Sequence, residues 1–245
     1  MRNFKLTIQY EGTKYNGWQR QGNTANTIQE KFEKILLKLC GRPVEIFGSG
    51  RTDAGVHAKG QVANFKAELD LKADEITDYF NKYLPEDVAV VSTEEVEERF
   101  HARLNAKRKT YEYRIWKGKV PEVFGRRTRY FYEGRLDSEL MRKGADLLVG
   151  VHDFKAFCTA TRIKKSTIRE IYSLDVSETE NEIVITVCGD GFLYNMVRII
   201  TGTLIETGRG ERTPESILSV LESGERKNAG YTAPPEGLTL LNVEY

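Results

Sequence analysis

One carboxylate stands where a chain would put it to do chemistry. Asp53 sits in the run Gly48-Ser49-Gly50-Arg51-Thr52-Asp53-Ala54-Gly55-Val56-His57. Three glycines within eight residues free the backbone for positive φ and for close approach to a ligand. No second carboxylate lies in the run, and Arg51 is two residues from Asp53. A guanidinium nearby favours the charged form of an acid, so Asp53 is suited to act as nucleophile or base and poorly suited to donate a proton. A tight turn, with Asp53 bonded to its own backbone and Arg51 as a surface charge, is the competing reading of these ten residues alone. The run lacks the Lys-Ser/Thr ending of a phosphate loop, which argues against nucleoside triphosphate use.

Two further groups could meet a substrate. Tyr111 and Tyr113 alternate in Lys109-Thr-Tyr-Glu-Tyr-Arg-Ile115, so a strand there puts both on one face, and alternation does not choose between them. Arg198 is a lone cation in the apolar stretch Asn195-Met-Val-Arg-Ile-Ile200. Such a charge needs a partner, Asp53 or a phosphate, or else snorkels to the surface. His57 adjoins the aspartate, but His101 and His152 are far away in sequence. That spacing predicts neither a metal site nor an organic cofactor.

The elements that must hold these residues follow from hydrophobic periodicity. Phe4 to Tyr10 alternates as a strand, and the Gly/Asn/Thr-rich stretch after it reads as a loop. Ile28, Phe32, Ile35, Leu36 and Leu39 recur at helical spacing, with Thr27 and Glu30 as a capping pair and Gly41 as the stop. Val44 to Phe47 and Gln61 to Phe65 read as strands on either side of the Asp53 run, and Ala73 to Tyr83 reads as a helix closed by Pro85. The second half repeats the order: a strand at Thr110 to Trp116, a helix at Ser138 to Leu148, strands at Ile168 to Ser177 and Glu182 to Gly189, and a helix near Tyr194 to Glu206. This succession predicts an α+β protein of two pseudo-duplicated lobes, residues 1–105 and 106–245, with antiparallel sheets carrying helices on one face.

The 245 residues carry 37 Lys and Arg against 36 Asp and Glu, a net charge of +1 that hides local segregation. Lys107, Arg108, Lys109, Arg114, Lys117 and Lys119 are accompanied only by Glu112, and Arg126, Arg127 and Arg129 follow. The acidic run Glu94, Glu95, Glu97 and Glu98 precedes them, and a third basic group comprises Arg162, Lys164, Lys165 and Arg169. Three basic groups favour a polyanionic partner over merely solvated faces. Cys40, Cys158 and Cys188 are odd in number and widely spaced, so they read as reduced, buried thiols. No stretch reads as a signal peptide or membrane span, which makes the cytoplasm the default location.

Ser49 to Ala58, SGRTDAGVHA, resembles the signature of the tRNA pseudouridine synthase A family. The similarity extends to YEGTKYNGWQRQ, to FHAR at Phe100 to Arg103, to KTYEYRI, GVHDFKAF and NMVRIITGTLIETG, and to the closing APPEGLTLLNVEY. Separated motifs in the family's order cover nearly the whole chain.

The resemblance implies isomerisation of uridine to pseudouridine at positions 38, 39 and 40 of the tRNA anticodon stem-loop, in a cleft between the lobes, without metal or cofactor. It makes Asp53 the nucleophile or base, with Arg51 orienting it or filling the space left by a flipped base. It puts Tyr111 on the uracil and Leu238, otherwise read as core, against the uracil edge; Arg198 joins them as a candidate from its own apolar setting. It also implies a homodimer with a shared RNA surface. A non-catalytic RNA-binding module using exposed strand aromatics is the alternative. A glycosidase or nuclease fits less well, since either needs more than one acid.

Overall fold

The computed structural model describes residues 1–160 and 166–245. Of the third basic group, Arg162, Lys164 and Lys165 lie outside the described residues. The chain divides into two compact units, Met1–Lys107 with Thr239–Tyr245, and Arg108–Leu238. Chain order alone gave the C-terminal segment to the second lobe; the structure returns it to the first as a strand.

The first unit runs β1 (Arg2–Tyr10), α1 (Ile28–Cys40), β2 (Ile46–Gly48), β3 (His57–Ala67), α2 (Ala73–Tyr83) and β4 (Val88–Val96). It is completed by the C-terminal strand β10 (Leu238–Glu244), whose residues from Thr239 onward belong to it. Strand β1 pairs antiparallel with β4 on one side and β3 on the other. The other edge of β3 is shared: β2 pairs antiparallel with Ala63 to Phe65, and β10 pairs parallel through Thr239 with His57 and Leu240 with Ala58. An antiparallel sheet was expected throughout. The parallel pair arises because β10 returns after a long excursion, which a hairpin-linked strand cannot do. Flanked on both edges, β3 is buried along most of its length on both faces.

Thr27 caps α1 by accepting from the Glu30 N–H (3.4 Å), but the Glu30 carboxylate pairs with Lys34 (3.3 Å) instead of completing the box; Gly41 ends the helix at φ 66°, as the stop predicted. Ile28, Phe32, Ile35 and Leu36 are buried. Phe32 meets Phe80 of α2 at 5.2 Å between ring centroids, and Phe80 meets Phe65 of β3 edge-on at 6.0 Å. This ladder of rings seats both helices on the sheet. The acidic run is not a free face: on β4, Glu94 pairs with Lys5 (3.0 Å) and Glu95 with Arg2 (2.8 Å) across from β1.

The second unit runs β5 (Arg108–Trp116), β6 (Tyr130–Phe131), α3 (Ser138–Asp146), β7 (Gly150–Asp153), β8 (Ile168–Glu178), β9 (Glu182–Gly189), α4 (Met196–Gly208) and α5 (Ser216–Ser223). Strands β5, β9, β8 and β7 pair antiparallel in that order, and β6 adds to β5 in parallel. Helix α3 packs on β8 and α4. Helix α4 is buried nearly all round; Arg198 and Glu206 are its only residues not fully buried. No helix among the described residues is long and apolar enough to cross a membrane. Of the cysteines read as buried, Cys158 is; Cys40 and Cys188 are partly exposed, Cys40 as the last residue of α1 and Cys188 on the less buried of the two alternating faces of β9.

Candidate active site

Strand β2 ends at Gly48 opposite Ala63, and the chain then peels away from β3 to form the 49–56 loop. A loop so near the sheet needs partners for its buried polar groups. The Ser49 N–H still donates to the Val62 carbonyl (2.7 Å), the last backbone tie to the sheet. Beyond it, side chains take over. Gln61 of β3, fully buried, accepts from the Ser49 hydroxyl (2.7 Å) and donates to the Gly50 carbonyl (3.1 Å). Tyr10 Oη shares a hydrogen bond with Thr52 Oγ1 (2.8 Å), and burial pushes the phenol pKa up to about 12.

The segment 11–18 closes the opposite side. The Trp18 N–H donates to the Thr52 carbonyl (3.1 Å), the Gly55 N–H to the Tyr15 carbonyl (3.2 Å), and the Val56 N–H to the Asp53 carbonyl (3.1 Å). The Gly12 N–H donates to Nδ1 of buried His57 (2.9 Å), so that nitrogen carries no proton. Two glycines make the approach possible. A β-carbon on Gly12 would lie 2.0 Å from the Val56 carbonyl oxygen, and one on Gly17, at φ 84°, would lie 2.5 Å from the Thr52 oxygen. Tyr15 is fixed in turn by donating its hydroxyl to Asp87 (2.5 Å).

Within this frame Asp53 is half-buried, while its neighbours Thr52 and Val56 are buried. Arg51 is exposed and its Nε donates to Gln19 Oε1 (3.0 Å). The bond between Trp18 and Thr52 explains this, since it sets residue 19 beside residue 51.

In the second unit, the two tyrosines of β5 differ. Tyr113 is fully buried, its hydroxyl donates to the Pro234 carbonyl (2.8 Å), and burial holds its pKa well above the usual phenol value. Its ring also lies so close to Gly237 that a β-carbon there would sit 2.6 Å away. Tyr111 is 7% exposed and meets Phe192 edge-on at 5.2 Å. Of the pair, Tyr113 serves the core. Leu238, 5% exposed, closes the second unit.

Arg198, in the first turn of α4, donates Nε to the Ala233 carbonyl (2.7 Å) and Nη1 to Asn195 Oδ1 (2.9 Å). Among the described residues Asn195 is the one non-glycine with positive φ, at 62°. Its amide also donates to Thr159 Oγ1 (2.7 Å), so a locally unfavourable backbone is held by two side-chain bonds.

Part of the basic stretch is matched within its own unit: Arg114 and Arg129 reach Glu182 (3.2 and 2.8 Å), Arg129 also reaches Glu122 (2.8 Å), and Lys117 pairs with Glu178. Lys107, Lys119, Arg126 and Arg127 remain exposed. Residue counting along the chain overstated the basic patch, because two of the acids that pair with it, Glu178 and Glu182, come from strands distant in sequence. Sequence reasoning also passed over Gln61, Tyr10, Gly12 and Asn195. No local signal singles out Gln61, since the same strand also carries Lys59, Asn64 and Lys66.

A family profile described as tRNA pseudouridine synthase matches residues 6–105 and 145–245. The chain is 49% identical to a "tRNA pseudouridine synthase A" of Bacillus sp. (strain KSM-64) over 245 residues, all of both chains. It is 46% identical to "tRNA pseudouridine synthase A 2" of Bacillus cereus (strain ZK / E33L) and 42% to "tRNA pseudouridine synthase A" of Acetivibrio thermocellus, again over the full length of each. One chain of a solved Cbf5-Nop10-Gar1 complex aligns with 97% of this chain and about half (48%) of its own length, at 14% identity and TM-score 0.40, below the level at which a shared fold follows.

Proposed function

Because this chain belongs to the tRNA pseudouridine synthase family, we propose that Asp53 drives the isomerisation of uridines in the anticodon arm of tRNA. The observation that carries the reading is the placement of Asp53: a half-buried carboxylate in a loop tethered to buried partners on both sides. An acid presented this way loses little freedom on meeting a substrate, which is what a positioned nucleophile or base requires.

Pseudouridine formation breaks the bond between ribose C1′ and uracil N1 and makes one between C1′ and C5. N1 gains a proton and C5 loses one, so no atom leaves the nucleotide. Asp53 serves as nucleophile toward the sugar or as base. The target must first leave its stack, at a cost of a few kcal/mol that phosphate contacts and stacking in the protein offset. Tyr111 stacks on the uracil and its hydroxyl handles the C5 proton; Tyr113, with its hydroxyl committed to Pro234, does not. Arg198, aimed by Asn195 and Ala233, binds the substrate's anionic backbone. Arg51 fills the space the base vacates, and Leu238 packs against the uracil edge.

The chain works in the cytoplasm as a homodimer whose two copies share the tRNA. Chemical mapping of pseudouridine in undermodified tRNA, treated with wild type or with Asp53→Asn, tests the core of this reading. Product in the anticodon arm with wild type and none with the variant is expected. Full activity of the variant, or product confined to other arms, refutes it. Light scattering that returns the mass of a single chain at micromolar concentration removes the dimer.

A further inference from the structure

The loop that carries Asp53 is held from beneath by one amide. Gln61 is fully buried, yet every polar atom of its side chain is used, and all of its side-chain partners bear on the loop. Oε1 accepts from the Ser49 hydroxyl at 2.7 Å, while Nε2 donates to the Gly50 carbonyl at 3.1 Å and to Tyr10 Oη at 3.4 Å. Tyr10 Oη, accepting there, has its own proton for Thr52 Oγ1 at 2.8 Å. One side chain therefore reaches residues 49 and 50 directly and residue 52 through a single relay. The orientation of the amide is fixed, because reversing it would set Oε1 against the Gly50 carbonyl.

A second buried amide on the same strand provides a contrast. Asn64, three residues on, accepts from the Ala102 N–H (2.8 Å) and donates to Asn3 Oδ1 (3.0 Å). It is as buried as Gln61, and its bonds serve the 100–102 turn rather than the loop. Burial and satisfaction are alike in the two residues; what each one holds is different.

We propose that Gln61, acting through Ser49, Gly50 and the Tyr10–Thr52 pair, is a positioning residue that sets where Asp53 stands relative to the substrate ribose. The inference rests on the assignment of Asp53 above. No chemistry passes through Gln61, which touches no reacting atom. Its removal shifts the loop while leaving the tRNA-binding surface in place, and a shift of an ångström at a reacting group lowers turnover by about 100-fold.

The test compares Gln61→Leu, Gln61→Glu and Tyr10→Phe with Asn64→Leu and wild type, measuring melting temperature and, well below every melting point, kcat and KM on undermodified tRNA. The expectation is a kcat reduced about 30- to 100-fold in both Gln61 variants, with KM within about threefold of wild type. Tyr10→Phe, which removes only the relay hydroxyl, should lose about 3- to 10-fold in kcat. Asn64→Leu should fall in melting temperature as far as Gln61→Leu yet keep kcat within about twofold. Should Gln61→Leu fail to fold, the Tyr10→Phe result decides. If kcat simply follows melting temperature across the set, or if the loss appears in KM, Gln61 is ordinary core and the proposal is overturned. A wild-type chain that forms no pseudouridine overturns the assignment of Asp53 as well; an active wild type with unchanged Gln61 and Tyr10 variants overturns only the role of Gln61.

Discussion

The 49–56 loop of the first unit and the start of α4 in the second each hold a charged side chain assigned to the site, Asp53 and Arg198, and they do it by opposite means. Around Asp53 the backbone is irregular, so side chains and backbone groups from β1, β3 and the 11–18 segment supply the bonds that a helix or sheet would have provided. Around Arg198 the backbone is a helix buried on nearly every side, and only its entry is unusual, with Asn195 in the left-handed region. A loop tied by many separate bonds can place a group where no regular element would, but each bond is a point of failure. A helix positions its residues collectively, so a lost bond there costs mostly stability.

Perturbing either region should expose that asymmetry. The largest effect is expected from Asp53→Asn, which should lower product formation by about 1,000-fold or more while the circular dichroism spectrum is kept, since Ser49, Gly50, Thr52 and backbone groups tie the loop to its frame. Loss of folded structure in that variant would mean that the aspartate is part of the frame. Gly12→Ala should come next. Its β-carbon has no room beside the Val56 carbonyl, so the 11–18 segment must move, at about 1 to 3 kcal/mol of stability in urea denaturation and about 10-fold or more in kcat.

On the Arg198 side the effects should be smaller and mainly thermodynamic. Asn195→Ala loses two side-chain bonds and keeps the unfavourable φ, for about 2 kcal/mol; Asn195→Gly loses the same bonds but relieves the backbone, so it should be more stable than the alanine variant by about 1 kcal/mol. Equal stabilities of the two would show that the backbone at residue 195 is unstrained. Tyr113→Phe strips the donor from the Pro234 carbonyl and should cost about 1 to 2 kcal/mol with kcat within about twofold. A large drop in kcat would instead give Tyr113 the role assigned to Tyr111.

Most of the elements were legible in the sequence because their signals are local. Thr27, Glu30 and Gly41 bound α1 through bonds made within a few residues, and Ala73–Tyr83 and Glu182–Gly189 fall where periodicity put them. The short or weakly patterned strands β4, β7 and β10 and the eight-residue helix α5 were not anticipated. The burial of α5 rests on packing against β7 and the 154–157 turn, which no local pattern records. The Asp53 run and the strands beside it were visible as a glycine-punctuated turn between apolar segments. What holds that run was not, because Gln61, Tyr10 and Gly12 are unremarkable residues until the sheet brings them together.

By itself, then, the sequence determined that there would be a lone carboxylate in a glycine turn, that α1 to α4 would form and that α1 would stop at Gly41, and which tyrosines would share a face. Those are matters of neighbouring residues and their torsions. Only the tertiary structure decided that Arg51 bonds to Gln19, that Tyr113 is committed to Pro234, that Arg114, Lys117 and Arg129 of the basic stretch are paired, and that the last strand belongs to the first unit. Each of these depends on which distant segment arrives beside a given residue. Hydrogen bonds and ion pairs are short-range, so a partner tens of residues away leaves no mark in the local pattern until folding closes the distance.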